Sequence, residues 1–241
     1  MKAMIKTVVA RVLRDKPSAR EKVKHWNELL FWKIHYRKTK GNPHNSHFQF
    51  CFTELFGLTK EYYTSKRVID IGCGPLGTLE WADNAAERVG ADPLATSYQA
   101  LTKGKHAMRY VTCNSESIPF EDGHFDIVSM FNSLDHVFDV DATIAELKRI
   151  CRPGGDIMII VELDQKPTIT EPHSIGLSVL EAFPGFEVMH RSVYELGEGH
   201  NIYKGLLGRV ARTSDAVPGV LCARLRKRVA QQPLEKSRRA S

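Results

Sequence analysis

The sequence predicts an α/β fold with a mainly parallel sheet, preceded by a basic helical segment. Short β-rich runs recur at residues 68–71, 88–91, 109–111, 125–131 and 157–161, with helix-compatible stretches between them, the clearest at 142–150. Strands alternating with helices build right-handed βαβ units, whose strands lie parallel. Gly72-Cys73-Gly74-Pro75-Leu76-Gly77 follows the first of these strands directly, where such folds bind ligands. Before Arg67 the pattern is different: helical, aromatic and basic.

The elements follow in order. Met4, Ile5, Val8, Val9, Val12 and Leu13 recur at helical spacing among Lys2, Lys6, Arg11 and Arg14. This predicts a short basic amphipathic helix, suited to a membrane surface, to a transit peptide or to packing on its own domain. Pro17 ends it, and Ser18 with Glu21 has capping-box spacing for the next helix. Val23, Trp26, Leu30 and Ile34 give that helix an apolar face, and Gly41 and Pro43 close it. A third apolar segment runs over 48–56 and closes at Gly57. After residue 184, stretches 186–189 and 220–223 read as two final strands separated by a long loop. The expected organisation is a helical cap or lid over 1–66, a ligand-binding domain over 67–226 and a disordered basic tail over 227–241.

Composition narrows the class. The 241 residues are 42% hydrophobic and 26% charged, which fits a globular chain and excludes collagen-like, disordered or disulfide-scaffold classes. No apolar run approaches the roughly 20 residues that span a bilayer. Cys51, Cys73, Cys113, Cys151 and Cys222 are odd in number and form no C-x-x-C pair, so free thiols and a cytoplasmic protein are expected. Residues 1–66 hold 14 Lys and Arg against 5 Asp and Glu, residues 67–164 hold 8 against 16, and the remainder 12 against 7. Basic ends therefore flank an acidic middle and can attract phosphate, an anionic glycan or an acidic membrane surface. His44, His47 and Cys51 have loosely metal-like spacing without a fourth ligand, so no metal is expected.

Gly72, Gly74 and Gly77 allow a tight turn and close backbone approach to a ligand, with a following helix expected to present free N–H groups. Asp92 ends the second strand, 20 residues past Gly72, where a carboxylate accepts hydrogen bonds from a ribose diol. An adenosine-containing ligand follows. Asp70, two residues before Gly72, would repel a pyrophosphate and attract an ammonium or sulfonium. This favours S-adenosylmethionine over a dinucleotide, and so disfavours an oxidoreductase.

Residues 68–162 resemble the class I S-adenosylmethionine-dependent methyltransferase family, in its small-molecule branch. The resemblance rests on Val68-Ile69-Asp70-Ile71-Gly72-Cys73-Gly74-Pro75, on Gly90-Ala91-Asp92-Pro93, on Ser115-Glu116-Ser117-Ile118-Pro119-Phe120 with Phe125-Asp126-Ile127-Val128, and on Arg152-Pro153-Gly154-Gly155. It implies a Rossmann-like seven-stranded, mostly parallel sheet with helices on both faces, its last strand inserted antiparallel. It implies that Asp70, Gly72, Gly74 and Gly77 line the methionine end of the cofactor, that the Cys73 backbone touches it, and that Asp92 with Pro93 lies at the ribose. Ser115 and Glu116 would lie along the adenine and Asn132 at the methyl region. Family members often carry Asp where Asn114 stands.

Methyl transfer from a sulfonium is an in-line displacement whose leaving group is already activated, so the protein mainly aligns the nucleophile and excludes water. His136, with Asp135 beside it, follows the fourth strand and is the candidate general base; its alternative is to open the next helix and support the cofactor loop. Glu162 and Asp164 end the fifth strand on the same edge of the sheet, where either is a candidate to bind a substrate hydroxyl or amine. His173, His200, Asn201 and Tyr203, with Trp32, His35, Tyr36 and His47 from the N-terminal helices, are candidate substrate contacts. The expected function is methylation of oxygen or nitrogen on a small molecule, a glycan or a sugar-containing metabolite. RNA methylation through the basic N-terminus is the alternative, and a protein that only binds S-adenosylmethionine is a third.

Overall fold

The computed structural model describes residues 17–41, 44–168, 170–197 and 202–229. The expected helix over residues 4–13 and the tail beyond 229 lie outside them. Helix α1 (Pro17–Lys38) and the short α2 (His47–Phe52) precede two 3-10 turns at Glu54–Phe56 and Lys60–Tyr63. There follow β1 (Arg67–Ile71), β2 (Glu87–Ala91), α3 (Ala95–Thr102), β3 (Arg109–Val111), β4 (Phe125–Phe131), α4 (Val140–Ile150), β5 (Cys151–Leu163), β6 (Phe186–Glu195), α5 (Ile202–Gly208) and β7 (Gly219–Lys227).

The seven strands form one sheet in the order β3-β2-β1-β4-β5-β7-β6. The first five are mutually parallel, and β7 runs antiparallel between β5 and β6. β1, β4 and β5 are buried on both faces, which is why their sequences read as near-continuous apolar runs. Successive residues serve opposite faces: Ile69 and Val128 join the layer with α4, Val68 and Ile127 the layer with α2 and α5. α4 is fixed at its start by the Asp139 carboxylate, which accepts the Ala142 N–H at 2.9 Å.

Three expectations change. First, no helix follows the glycine motif. Only nine residues separate Gly77 from Glu87, and they close as i to i−3 turns (Glu80 to Gly77, Ala82 to Leu79, Ala85 to Ala82). Asn84, bonded to the Lys60 carbonyl at 3.0 Å and Thr64 Oγ1 at 2.9 Å, ties that segment down. Second, the apolar face expected on the second helix points outward: Trp26 is 63% exposed, Leu30 39% and Ile34 44%. Third, the expected 1–66 cap divides. α1 lies over the crevice described below. The stretch from Phe48 to Tyr63 is core, with Phe52, Phe56 and Tyr63 packed on Val68, Leu79 and Met158.

Asp156 anchors the far side of the sheet. It is buried, and its carboxylate holds the Arg226 guanidinium at 2.8 and 3.1 Å and the Tyr62 hydroxyl at 2.5 Å. Burial, with Asp156 beside it, pushes the Tyr62 hydroxyl up to about 12. Asp156→Ala leaves Arg226 and Arg224 without their carboxylate. It is expected to lower the unfolding free energy by about 3 kcal/mol in chemical denaturation, whereas a loss below about 1 kcal/mol would deny the cluster a structural part.

Candidate active site

β1 and β4 are neighbours whose connections leave in opposite directions, toward β2 and toward β5. A crevice opens where they part, at the carboxyl ends of the strands. Gly72, at φ 71°, turns the chain after β1, and Asn132, at φ 51°, turns it after β4. The two turns touch: Ser133 Oγ donates to the Ile71 carbonyl at 3.0 Å. A Cβ on Gly72 would lie 2.5 Å from that of Ser133, so only glycine fits.

Two adjoining cavities fill the crevice and share Glu28, Gly72, Asp92, Asn132 and His136. The first runs past Pro93, Leu94 and Tyr98 to Ser115 and Glu116. The second, over Asp70, Cys73 and Gly74, is walled by Phe31, Trp32, Phe48, Phe131 and Tyr203. Most residues expected at a cofactor thus come together. Gly77 does not: its N–H donates to the Tyr110 hydroxyl at 3.2 Å, and the His106 ring crowds the place a Cβ would take.

The acids have distinct surroundings. Asp70 is buried and accepts from Thr78 Oγ1 at 2.6 Å and Ser129 Oγ at 2.7 Å. Burial nevertheless pushes it up to about 7. Asp92 accepts the Leu94 N–H at 2.8 Å and the Gly74 N–H at 3.2 Å, and burial raises it to about 6. The glycine loop is therefore held by Asp92 and Tyr110, in place of the expected helix N-terminus. Glu116 accepts the Phe138 N–H at 2.8 Å and holds the loop after β4. The Cys73 thiol is buried and pushed well above its ordinary value, which suits packing and not nucleophilic chemistry.

His136 stands at the junction of the two cavities. Its Nε2 lies 3.9 Å from both Asp135 Oδ1 and Glu171 Oε1. Burial raises Asp135, and its Oδ1 has no hydrogen-bond partner. The imidazole therefore faces two carboxylates.

The remaining expected contacts scatter. Trp32 and Tyr203 line the second cavity. Tyr36 is turned to the glycine loop, where its hydroxyl donates to the Pro75 carbonyl at 2.9 Å. His47 packs behind the wall, its ring 4.4 Å from that of Tyr203, and His35 stacks on Phe31 along α1. His173 is spent on the Val137 carbonyl at 3.0 Å. Glu162 and Asp164 line a third cavity with Gln165 and Arg212, which adjoins the second through Asn132 and Glu171, Asp164 lying 3.4 Å from the Arg212 guanidinium. His200 and Asn201 lie outside the described residues.

Lys24, Glu28, Tyr98, Phe131 and Glu171 line the crevice without having been singled out. Lys24 reaches across to donate to the His136 carbonyl, and burial lowers its pKa. Lys24, Glu28, Trp32 and Tyr36 recur every four residues and form one helix face, a readable signal. Glu171, in the long segment after β5, has no such signal.

The raised acids make stability pH-dependent. Asp70 binds its proton more tightly folded, at about 7, than at its ordinary 3.8. Its contribution is complete below 3.8 and lost as pH rises through about 7. Thermal melts of the ligand-free protein are therefore expected to show Asp70→Asn gaining on the native protein between those values. Parallel curves would contradict the assignment.

Comparison with known proteins adds the chemistry. Residues 69–159 match the family described as Methyltransferase domain. The Ubiquinone/menaquinone biosynthesis C-methyltransferase UbiE of Shewanella piezotolerans is 43% identical over 53 residues, 22% of this chain and 21% of that one. Its namesake from Cupriavidus necator is 37% identical over 90 residues, 36% of this chain and 34% of that one. The match thus spans about a third or less of these curated relatives. An S-adenosylmethionine-dependent methyltransferase from Mesorhizobium loti shares the fold, with a TM-score of 0.54 and 17% identity over 68% of this chain and 92% of the other. Residues 69–159 thus carry a methyltransferase domain, on a sheet with the fold of S-adenosylmethionine-dependent methyltransferases.

Proposed function

We propose that this protein transfers a methyl group from S-adenosylmethionine to a small aromatic acceptor, of phenol or quinol type, at a ring carbon. The observation that carries this is the second cavity. Phe31, Trp32, Phe48, Phe131 and Tyr203 give it aromatic walls suited to a flat ring, and His136 stands at its boundary with the first. The relatives' printed name, C-methyltransferase, supports carbon as the acceptor atom over the expected oxygen or nitrogen.

The crevice fits the cofactor. Gly72 presents bare backbone to both cavities, and Asp92 sits at the cavity edge with carboxylate lone pairs left for a ribose diol. Asp70, Gly72, Cys73 and Gly74 are placed at the methionine end, Asp92 and Pro93 at the ribose, Ser115 and Glu116 at the adenine, and Asn132 by the methyl. When bound, the cofactor supplies an electrophilic methyl on a cationic sulfur. A cationic ligand also favours ionised Asp70 and Asp92.

His136 Nε2 takes the acceptor's hydroxyl proton, with Asp135 and Glu171 beside the ring. The phenolate's charge is shared with its ortho carbon, the atom that the bound cofactor would methylate. The proton on that carbon then leaves to solvent, restoring the ring. The aromatic walls and α1 exclude water and hold the ring in line. RNA is disfavoured by the acids around the crevice, Glu28, Asp70, Asp92, Glu116 and Glu171, which repel phosphate.

His136→Ala is expected to slow methyl transfer to a phenol or quinol panel by about 10²–10⁴-fold while cofactor affinity stays within about twofold. Equal loss of both would make His136 structural, and labelled methyl appearing in RNA would overturn the acceptor class. Asp92→Ala is expected to weaken cofactor binding by about 1.5–3 kcal/mol in calorimetric titration. Unchanged affinity would displace the ribose from Asp92.

A further inference from the structure

α1 is apolar on two sides. Its inner side, with Trp32 and the buried Tyr36, covers the crevice and the glycine loop. Its outer side carries Trp26, Leu30 and Ile34, one turn apart along a single stripe and 63%, 39% and 44% exposed. Around it Lys22, Lys33, Arg37 and Lys38 are exposed, and no exposed residue of α1 from Glu21 onward is acidic.

We infer that the outer face of α1 docks on an anionic lipid bilayer. Tryptophan and branched aliphatic side chains in a stripe edged by lysine and arginine match an interfacial helix, whose apolar side enters the headgroup boundary while the cations reach lipid phosphates. The charge argues against the other occupants. A second copy would bring its own Lys33 and Arg37 against these. Residues 1–16 hold five Lys and Arg against one acid, the same sign as the patch. RNA would meet Leu30 and Ile34, which neither stack on bases nor pair with phosphate. Docking on this face brings the crevice cover to headgroup level, since α1 serves both. The inference goes beyond the methyltransferase reading and stands on α1 alone.

The test is co-sedimentation of the full chain with vesicles of phosphatidylcholine, with and without phosphatidylglycerol, at low and high salt. The native protein is expected to sediment with the anionic vesicles, less so in high salt. Trp26→Ser/Leu30→Ser/Ile34→Ser and Lys33→Glu/Arg37→Glu are each expected to reduce partitioning about tenfold. Their melting curves should superimpose on the native curve, since these side chains are exposed. Native-level sedimentation of both variants would overturn the inference, as would indifference of the native protein to anionic vesicles. A dimer that the serine variant converts to monomer would assign the face to a second copy instead.

Discussion

The parting of the chain at the ends of β1 and β4 is the constraint on which the rest depends. Gly72 and Asn132 both adopt left-handed backbone there, and Ser133 packs where a side chain on Gly72 would stand. Ladder-like bonds hold both turns in place: the Gly72 N–H donates to the Ala91 carbonyl at 2.8 Å and the Asn132 N–H to the Ile160 carbonyl at 2.7 Å. The crevice is thus the gap left when two adjacent strands hand their chains to opposite sides of the sheet. The acids, the imidazole and the aromatic wall all hang from it.

Electrostatics then set what the gap accepts. Asp70 and Asp92 are raised by burial, so each holds its proton more tightly than an exposed carboxylate does, and a cation favours the ionised form. Lys24 is a cation that the chain itself sets near Asp92. It is lowered by burial even though Glu28, Glu116, Asp92 and Asp135 all pull the other way. Helix α1 therefore contributes a charge as well as a cover, and its two apolar sides explain why it serves as neither a simple core helix nor a simple surface one.

Much of this was legible in the sequence, for physical reasons. β1, β4 and β5 are buried on both faces and so read as apolar runs. Asp92 was legible because a strand end and its spacing from Gly72 fix its place. β6 was only half legible: it reaches Glu195, but His190, Arg191 and Ser192 break the apolar pattern of an edge strand whose neighbouring strand is β7. The helix expected after Gly77 failed because pattern alone does not register how short the return to Glu87 is. The buried face of α1 failed because Trp26, Leu30 and Ile34 form the more hydrophobic stripe while Lys24, Glu28, Trp32 and Tyr36 form the one that is covered. His136 was found by its place after β4, whereas Glu171 reaches it from a segment without periodicity.

The most direct measurement is a crystal structure of the protein soaked with S-adenosylhomocysteine, with calorimetric titration of the same ligand against NAD. The account predicts that S-adenosylhomocysteine binds one to one and more tightly than NAD. Its ribose should lie on Asp92, its adenine beside Ser115 and Glu116, and its sulfur should face His136 and the aromatic wall. Tighter binding of NAD, or the ligand seated away from the β1–β4 crevice, would contradict it.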